Sequence, residues 1–543
     1  MYYSYTRPLV TLRGEIVVKV TVFHCVHHPR VCVHVYDPED VILVPGCKID
    51  MRVIVLIGLL RWRLGMKRHE IQLFLAGKHI VLSSGVISYR SLDFLLLFHQ
   101  FHMMNAGKLK RFFQRQHGMI LHVDGTFRSG GDVVFVLQDD GSEIIIDASL
   151  IPSEAEEYVT LVLQDFKCCF GSPLGVVRDM AEGISLSVSR VFPSAFQQIC
   201  QVHFMRNFET DVIAGLHNTV KRLLVKHRIT SMLKGLRRSD DVIDMKGLQR
   251  WWVHVIVDYL VYPLGGRVKW MSRSLSYYEQ YCRIQEVFVL IQRLIRSNAG
   301  HGFMCREVME LKRCLQSVLD DTMISSAVHL LGTSLDWLDA LCELLRVSRE
   351  DHLKDFDDPG CCIGSCKKKI ERKLAMIVRL GGEYGKKYER VALRLKKGFD
   401  RHWDELFIPD PMVDGERISF RRHNNALESS HRRLRKSIRE RTGRRDTNHE
   451  MEQFGDVMAV LSNLWNETYQ RMVLSDVDDL AVSLSGLVGD LPSLRKEYRK
   501  GRCGPEIPIA DDKRVNVLTR FVEIVESGRS YDELVSPLVE LVC

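Results

Sequence analysis

Alternating and helical periods divide the chain into segments of different secondary structure. Residues 1–50 alternate apolar and polar positions, which predicts a small set of strands and turns. Residues 51–104 change to a helical period that is broken at Gly65 and Gly77. Three short helices joined by glycine turns are either an ordinary helical subdomain or a DNA-binding helix-turn-helix, whose last helix would direct Arg90 toward base edges.

The densest pattern lies in residues 115–210. Three apolar runs, of which the second and third flank a turn at residues 139–142, predict three antiparallel strands. A helix, a strand, a second helix and a last strand near residues 197–202 follow. This order predicts a mixed sheet with helices on its faces, so we expect an α/β fold.

Helical periods dominate the remainder of the chain. Residues 211–420 contain several helical blocks, and helices are again predicted in residues 421–475 and 476–543. We assign no role to the last of these segments. At roughly 150 residues per domain, a chain of 543 residues has room for about three or four domains.

The distribution of charge changes this picture. Apolar residues make up 46% and charged residues 27%, as in an ordinary folded protein, and the net charge is only +8. Residues 421–445, however, hold ten basic residues against two acidic ones, which equals the net charge of the whole chain. Such a local cationic surface suits a polyanion. The basic residues expected to hold a DNA backbone are Arg432, Arg433, Arg435, Lys436 and Arg439.

Cysteine usage and hydropathy bear on the compartment. The 15 cysteines are odd in number and irregularly spaced, unlike a disulfide framework, and favour a reducing compartment. No apolar run approaches the roughly 20 residues of a membrane span, and the first residues lack the pattern of a secretory signal. We therefore expect a cytoplasmic, nucleoid-associated protein without a membrane partner.

Several cysteines and histidines near the start raise the question of zinc. Cys25 and His28 have the spacing of zinc ligands, and Cys32 and Cys47 lie nearby. No second matching pair follows, so unligated strand residues are favoured over a zinc site.

Three acidic residues stand at chemically suggestive places. Asp124 and Asp179 each follow an apolar run, so neighbouring strand ends would bring their side chains together. Two such carboxylates repel each other unless a divalent cation lies between them, and hard oxygen ligands suit Mg²⁺ or Mn²⁺. Glu428, at the start of the basic helix, is the candidate third ligand of a two-metal site. Each residue alone is most often a turn or surface residue, and only the conjunction points to a site.

At this point the sequence resembles a known family. The motifs that carry the resemblance are Val123-Asp124-Gly125-Thr126, Val177-Arg178-Asp179-Met180, Cys200-Gln201-Val202-His203-Phe204 and Asn425-Ala426-Leu427-Glu428-Ser429 followed by the basic helix. Together they are similar to DDE transposases of prokaryotic insertion sequences, which have a ribonuclease-H-like catalytic domain and are related to the Mutator-like group. The similarity covers about residues 115–450.

The resemblance implies roles for the segments. Residues 115–210 and 421–475 would form one ribonuclease-H-like catalytic core, interrupted by a helical insertion at 211–420 and preceded by a β-rich segment and a helix-turn-helix. Asp124, Asp179 and Glu428 would be catalytic and bind the metal ions, whereas Cys200 and His203 would be a structural or substrate-orienting pair.

The activity implied is metal-dependent cleavage and strand transfer at terminal inverted repeats of double-stranded DNA by a homodimer. Two alternatives stay open. One is a catalytically inactive or domesticated DNA-binding protein, and the other is a structure-selective nuclease of the same fold.

Overall fold

A computed structural model describes most of the chain. The described residues are 3–24, 31–34, 42, 44, 47–116, 118–126, 132–238, 247–261, 268–296, 306–347, 363–474 and 480–501. The chain divides into two compact units, one formed by residues 1–101 and 479–543 and the other by residues 102–478. No helix among the described residues has the length and apolar character needed to cross a membrane.

The elements follow in chain order. The strands are β1 (Tyr3–Thr11), β2 (Gly14–His24), β3 (Val31–His34), β4 (Ile120–Thr126), β5 (Val133–Asp139), β6 (Ile145–Ile151), β7 (Gly175–Arg178), β8 (Phe196–Ile199), β9 (Lys269–Trp270), β10 (Arg273–Ser274), β11 (Met412–Val413) and β12 (Glu416–Arg417). The helices are α1 (Met51–Gly58), α2 (Arg68–Ala76), α3 (Ser84–Met104), α4 (Ala106–Arg115), α5 (Glu156–Phe170), α6 (Glu182–Val191), α7 (Gln201–Phe208), α8 (Ala214–Lys226), α9 (Ile229–Arg238), α10 (Gly247–Val261), α11 (Ser276–Arg296), α12 (Arg306–Leu319), α13 (Thr322–Leu345), α14 (Ile363–Tyr384), α15 (Lys386–Leu406), α16 (Asn425–Thr442), α17 (Asn448–Leu461), α18 (Glu467–Tyr469), α19 (Leu480–Ser485) and α20 (Leu491–Gly501).

The first unit contains the strands and helices that the alternating and helical periods predict. β1, β2 and β3 pair antiparallel in chain order, and α1, α2 and α3 occupy the segment of helical period. Cys25 and His28 lie outside the described residues, and Cys32 is on β3. Cys47 is a buried free thiol. The described residues therefore do not test whether Cys25 and His28 bind zinc.

The second unit is built around a five-stranded mixed sheet. Its order is β6-β5-β4-β7-β8, in which β4, β5 and β6 pair antiparallel and β4, β7 and β8 pair parallel. β5 is buried along its whole length, as a central strand covered on both faces must be. The mixed α/β character and the order of strands and helices predicted from the periods are confirmed. β8 ends earlier than expected, at Ile199, because α7 already begins at Gln201.

Helices α8 to α15 follow α7 and return the chain to the sheet. Their apolar faces share one core that runs from Ile199 to Phe407. Phe204 and Phe208 of α7 pack against Phe399 of α15, with ring centroids 4.8 and 6.0 Å apart respectively. The helical segment is thus anchored on the sheet at both its beginning and its end, which fixes where the chain re-enters before α16.

Helices α16 and α17 complete the second unit. α17 packs on β5 and β6, and α16 lies next to β4. Asn463, just after α17, donates to the backbone oxygen of Ile145 over 2.7 Å and accepts from its N–H over 2.9 Å. These paired bonds join β6 to the residues that follow α17. The segment after α16 is thereby held on the sheet.

Candidate active site

Strand register brings the first two acidic residues to the same level. β4 and β7 are parallel neighbours, with Leu121 opposite Val176 and His122 opposite Val177. The same register, continued by two residues, sets Asp124 level with Asp179. The structure corrects one detail, since Asp124 does not end its strand: β4 continues to Thr126, paired with β5.

Asp124 carries a buried carboxyl group. Its side chain is on β4 with 7% of the residue exposed, and it accepts no hydrogen bond from any residue that the structure describes. Burial, followed by the nearby charges of Asp179 and Glu428, raises its pKa to about 7, although His203 acts in the opposite direction. The three predicted acidic residues therefore lie within electrostatic range of one another.

Asp179 has a second, structural task. Its Oδ1 accepts the backbone N–H of Ala181 over 2.8 Å at the beginning of α6, as a strand-terminal aspartate commonly does. The adjacent Arg178 is buried and forms an ion pair with Glu405 near the end of α15, with an N–O distance of 2.9 Å. Asp179 itself is only partly buried; one carboxylate oxygen holds the turn before α6 while the charge of the group acts on Asp124.

Glu428 lies in the first helical turn of α16 and is surrounded by cations. Its Oε1 is 3.2 Å from Nε2 of His203 and 3.4 Å from a guanidinium nitrogen of Arg206. Its Oε2 is 3.4 Å from Arg432, one turn further along α16. His203 and Arg206 both belong to α7. Their ion pairs with Glu428 therefore connect α7 with α16.

The surroundings of His203 favour the charged form of its ring. Burial lowers the pKa of its ring, but the neighbouring Cys200 sulfur and the carboxylates of Asp124 and Glu428 outweigh it and raise the pKa to about 10. The Cys200 sulfur also accepts the backbone N–H of Asn424 over 3.3 Å. The predicted Cys200 and His203 pair thus lies beside the three acidic residues, with His203 as a counter-charge.

The donor chemistry of the site suits a hard divalent cation. Asp124 on β4 and Asp179 just after β7 offer carboxylate oxygens at the same level of the sheet. As they stand, no three His, Cys, Asp or Glu side chains among the described residues meet closely enough to hold a metal ion. Glu428 is paired with three cationic side chains, His203, Arg206 and Arg432.

Comparison with known proteins bears on this site. Residues 130–245 match the family model described as Transposase, Mutator family. Over this segment the chain is similar to Mutator-family transposases. The resemblance to the Mutator-like group predicted from the sequence is thereby confirmed. None of the curated proteins compared with the chain matches it.

The matched segment, residues 130–245, covers part of the site. It includes Asp179, Cys200 and His203, whereas Asp124 lies six residues before it and Glu428 far beyond its end. Asp124 is nevertheless next to the matched segment in space, because its strand, β4, lies between β5 and β7 of that segment.

The basic residues of α16 separate into two groups. Arg432 and Arg435 point toward the site: Arg432 contacts Glu428, and Arg435 donates to the Thr126 hydroxyl at the end of β4. Arg433, Lys436 and Arg439 are exposed. The sequence predicted all five for the DNA backbone, and the geometry gives them different surroundings.

Arg90 lies in the first compact unit. It donates to Asp93 over 2.9 Å, and its side chain is only 18% exposed. Asp93 is almost fully buried and also accepts from Arg495 of α20. In this arrangement the guanidinium of Arg90 belongs to a structural ion-pair cluster.

Glu154 is an acidic residue near the site that sequence reasoning missed. It precedes α5, and burial together with the charges of Asp179 and Asp124 raises its pKa to about 8. A glutamate in a polar stretch before a helix gives no signal in a single sequence, since acidic residues are common in such places. Arg206 of α7 was missed because a basic residue on a helix likewise gives no signal of its own.

A buried polar network behind the site was missed as well. His122 of β4 contacts the Asn424 side-chain oxygen over 2.8 Å and Asp140 over 2.8 Å. Asp140 in turn accepts a hydrogen bond from the Nε–H of Arg421 over 2.9 Å. Although burial favours a higher pKa for Asp140, its contacts with His122 and Arg421 hold the pKa below its usual value. A histidine inside an apolar strand was the available signal, because a buried ring requires partners.

Proposed function

We propose that this chain is a DNA transposase that binds the terminal inverted repeats of its element, cleaves DNA there and transfers the freed ends to target DNA. The observation that carries the proposal is the parallel register that sets Asp124 level with Asp179, with Glu428 of α16 within electrostatic range of Asp124. The similarity of residues 130–245 to Mutator-family transposases supports it independently.

The topology supports a ribonuclease-H-like catalytic core. Three antiparallel strands are followed by two parallel strands on the other side of β4, with helices between them. A long helical insertion separates this sheet from the helix that carries the third acidic residue, in agreement with the resemblance seen in the sequence.

Asp124, Asp179 and Glu428 would hold Mg²⁺ or Mn²⁺. Divalent ions bound by such carboxylates activate water and stabilise the leaving oxygen in phosphodiester cleavage. The fit rests on the hard oxygen donors of three carboxyl groups that lie within electrostatic range of one another.

The cationic residues around Glu428 are suited to bind a phosphate group. His203, Arg206 and Arg432 form a positive rim beside the acidic residues, and guanidinium groups bind phosphate oxygens well. We infer that this rim orients the scissile phosphate over the carboxylates. Its charge would also offset the negative charge that develops on the phosphate during displacement.

Exposed basic residues of α16 would hold the neighbouring DNA backbone. Arg433, Lys436 and Arg439 lie on the outer side of the helix that carries Glu428, so phosphate contacts there would fix the register of DNA relative to the site. Two element ends have to be cut together, which implies that at least two copies of the chain act on one DNA complex.

A cleavage assay on duplex DNA that carries the element's terminal repeat tests the proposal. We expect Asp124→Asn and Glu428→Gln to lower Mg²⁺-dependent cleavage by about a hundredfold or more, because each removes a charged metal ligand. Binding to the same duplex without metal should persist. Glu440→Gln, an exposed change on the same helix, is the matched control and should cleave normally.

The alternatives give different results in this assay. Wild-type protein that binds the repeat and never cleaves is a DNA-binding protein without catalysis. Cleavage without joining of pre-cut ends to a plasmid identifies a nuclease of similar fold. Full cleavage by Asp124→Asn contradicts the assigned site.

A further inference from the structure

Helix α15 carries exposed cations that the proposed site does not use. Five basic side chains follow one another at intervals of three or four residues, and all five are exposed. They are Lys387, Arg390, Arg394, Lys397 and Arg401. At 3.6 residues per turn this spacing places them on one face of the helix, in a stripe about 21 Å long. We call this set the α15 stripe.

Carboxylates do not neutralise the α15 stripe. None of its five residues forms an ion pair with a carboxylate in the part of the chain that the structure describes. Other exposed cations of the same helical hairpin do form such pairs: Lys396 of α15 lies 2.5 Å from Asp400. Arg379 of α14 lies 3.8 Å from Glu383. Since like charges one turn apart destabilise a helix, the stripe favours a polyanionic ligand that would compensate its charge.

The α15 stripe approaches the proposed site at one end. Arg401, its last member, lies four residues before Glu405. Glu405 forms the ion pair with Arg178, the residue before Asp179. In the middle of the stripe, Arg394 donates to a backbone oxygen in the segment after α7 over 2.7 Å. Because α7 also supplies two cations of the positive rim, α15 is fixed relative to the site.

The chemistry of the stripe suits a DNA backbone of any sequence. Guanidinium and ammonium groups bind phosphates, and 21 Å corresponds to about six phosphates of one strand at about 3.4 Å each. Phosphate contacts fix the position of DNA and carry no sequence information. A terminal repeat has to be distinguished by its sequence, whereas a surface made only of cations suits DNA whose sequence varies.

We infer that the α15 stripe holds the backbone of the target duplex during strand transfer. The inference rests on the proposed function, because only a transposase has a target duplex. Strand transfer requires element DNA and target DNA at one site at the same time. Helix α16 begins at the site and α15 ends beside it, so their exposed cations provide separate surfaces for the two duplexes.

Joining of pre-cut element ends to a plasmid, measured over a range of plasmid concentrations, tests the inference. We expect Arg390→Gln combined with Lys397→Gln to raise the plasmid concentration for half-maximal joining by about tenfold. The maximal rate should equal that of wild type, since the stripe binds the target and takes no part in the chemistry. The matched control is Arg379→Gln combined with Lys396→Gln, which also removes one Arg and one Lys, both already paired. It should join as wild type does.

Cleavage of the terminal-repeat duplex, measured in parallel, distinguishes the possible failures. It should be unchanged in both double variants. If the Arg390 and Lys397 variant joins at wild-type plasmid concentrations, the role of the stripe is overturned while the proposed function stands. If this variant loses binding and cleavage of the repeat, the stripe holds the element end, and the assignment to target DNA is wrong. Wild-type protein that neither cleaves nor joins contradicts the proposed function itself.

Binding of a random-sequence duplex gives a readout that does not depend on activity. In the Arg390 and Lys397 variant the slope of log affinity against log salt should fall by up to about two. Urea unfolding should show that the variant is at least as stable as wild type, because it has fewer like charges on one helix face. A wild-type slope in the folded variant would contradict the inference.

Discussion

A single buried histidine makes α16 sensitive to acid. His431 is 6% exposed, and its Nε2 has no hydrogen-bond partner among the described residues. Burial, followed by the nearby charge of Arg435, lowers its pKa to about 3. The ring is therefore neutral in the folded protein at every pH at which the protein would be expected to work, in contrast to His203 nearby.

This shift predicts a loss of stability in acid. Below about pH 6.5 the unfolded chain binds a proton at His431, whereas the folded chain does not until about pH 3, so acid favours unfolding. The effect would approach about 3 kcal/mol at pH 4. In urea unfolding from pH 7 to 4, His431→Phe should lose this part of the slope. His449→Gln, at an exposed position, should keep it, and equal slopes in wild type and His431→Phe would contradict the assignment.

Residue type and position in the chain predicted some of the site and not the rest. Asp124 and Asp179 were found because each follows an apolar run of the sequence, and the ends of such runs concentrate functional acids. Glu154, Arg206 and Asn424 were not found, because they follow ordinary polar stretches. Their neighbours in space are up to about 300 residues away in the chain, and periodicity carries no information on such contacts.

On the scale of elements, α16 has two faces with different surroundings. One face carries Glu428, Arg432 and Arg435 toward β4 and α7. The other carries Arg433 and Lys436 in solvent, where Lys436 lies 3.7 Å from Glu440. Exposed pairs of this kind contribute little to stability, so the outer face is free to exchange its local contacts for phosphates.

The two faces predict different effects on DNA binding. Replacing Arg433 and Lys436 together by Ala should reduce the slope of log affinity against log salt by up to about two, since each lost phosphate contact removes about one. Arg432→Ala should lower cleavage and reduce the slope by no more than about one, because its guanidinium lies beside Glu428 and would contact a single phosphate. Fluorescence anisotropy at several salt concentrations measures the slope. An unchanged slope in the double variant would remove the outer face from the interface.

Element order was more predictable than element ends. Strands β4 to β8 and the helices between them follow from alternation, turn residues and helical period, all of which are local signals. The end of β8 was misplaced because the apolar run continues through Cys200 and Val202, which belong to α7 and its N-cap yet are buried in the core shared with the helical insertion. Apolar residues alone do not distinguish a strand end from the buried face of the next helix.

On the scale of the whole molecule, Asn424 joins distant parts of the second unit. Its residue is fully buried. Its side chain donates to the backbone oxygen of Val123 over 3.0 Å and contacts His122 over 2.8 Å. Since Asn424 directly precedes α16, these bonds fix the helix of Glu428 to the strand of Asp124 after the chain has passed through the whole helical insertion.

Removing this connection should weaken both stability and catalysis. Asn424→Ala leaves the buried partner groups on His122 and Val123 without their hydrogen bonds, which costs about 2–5 kcal/mol in the free energy of unfolding. Cleavage should fall in parallel because Glu428 loses its fixed position. The neighbouring Asn425 is exposed, so Asn425→Ala should change stability by less than about 0.5 kcal/mol. Urea unfolding of both variants measures the difference, and similar values would contradict the anchoring role.

The position of the helical insertion also sets the time at which the carboxylates can assemble during protein synthesis. Asp124 and Asp179 leave the ribosome first, and Glu428 follows only after the roughly 250 residues between Asp179 and Glu428 have been translated. At about 5–20 residues per second this takes on the order of ten to fifty seconds. Throughout that interval the nascent chain carries an unfinished acidic set, and any chain that terminates early within the insertion carries it permanently.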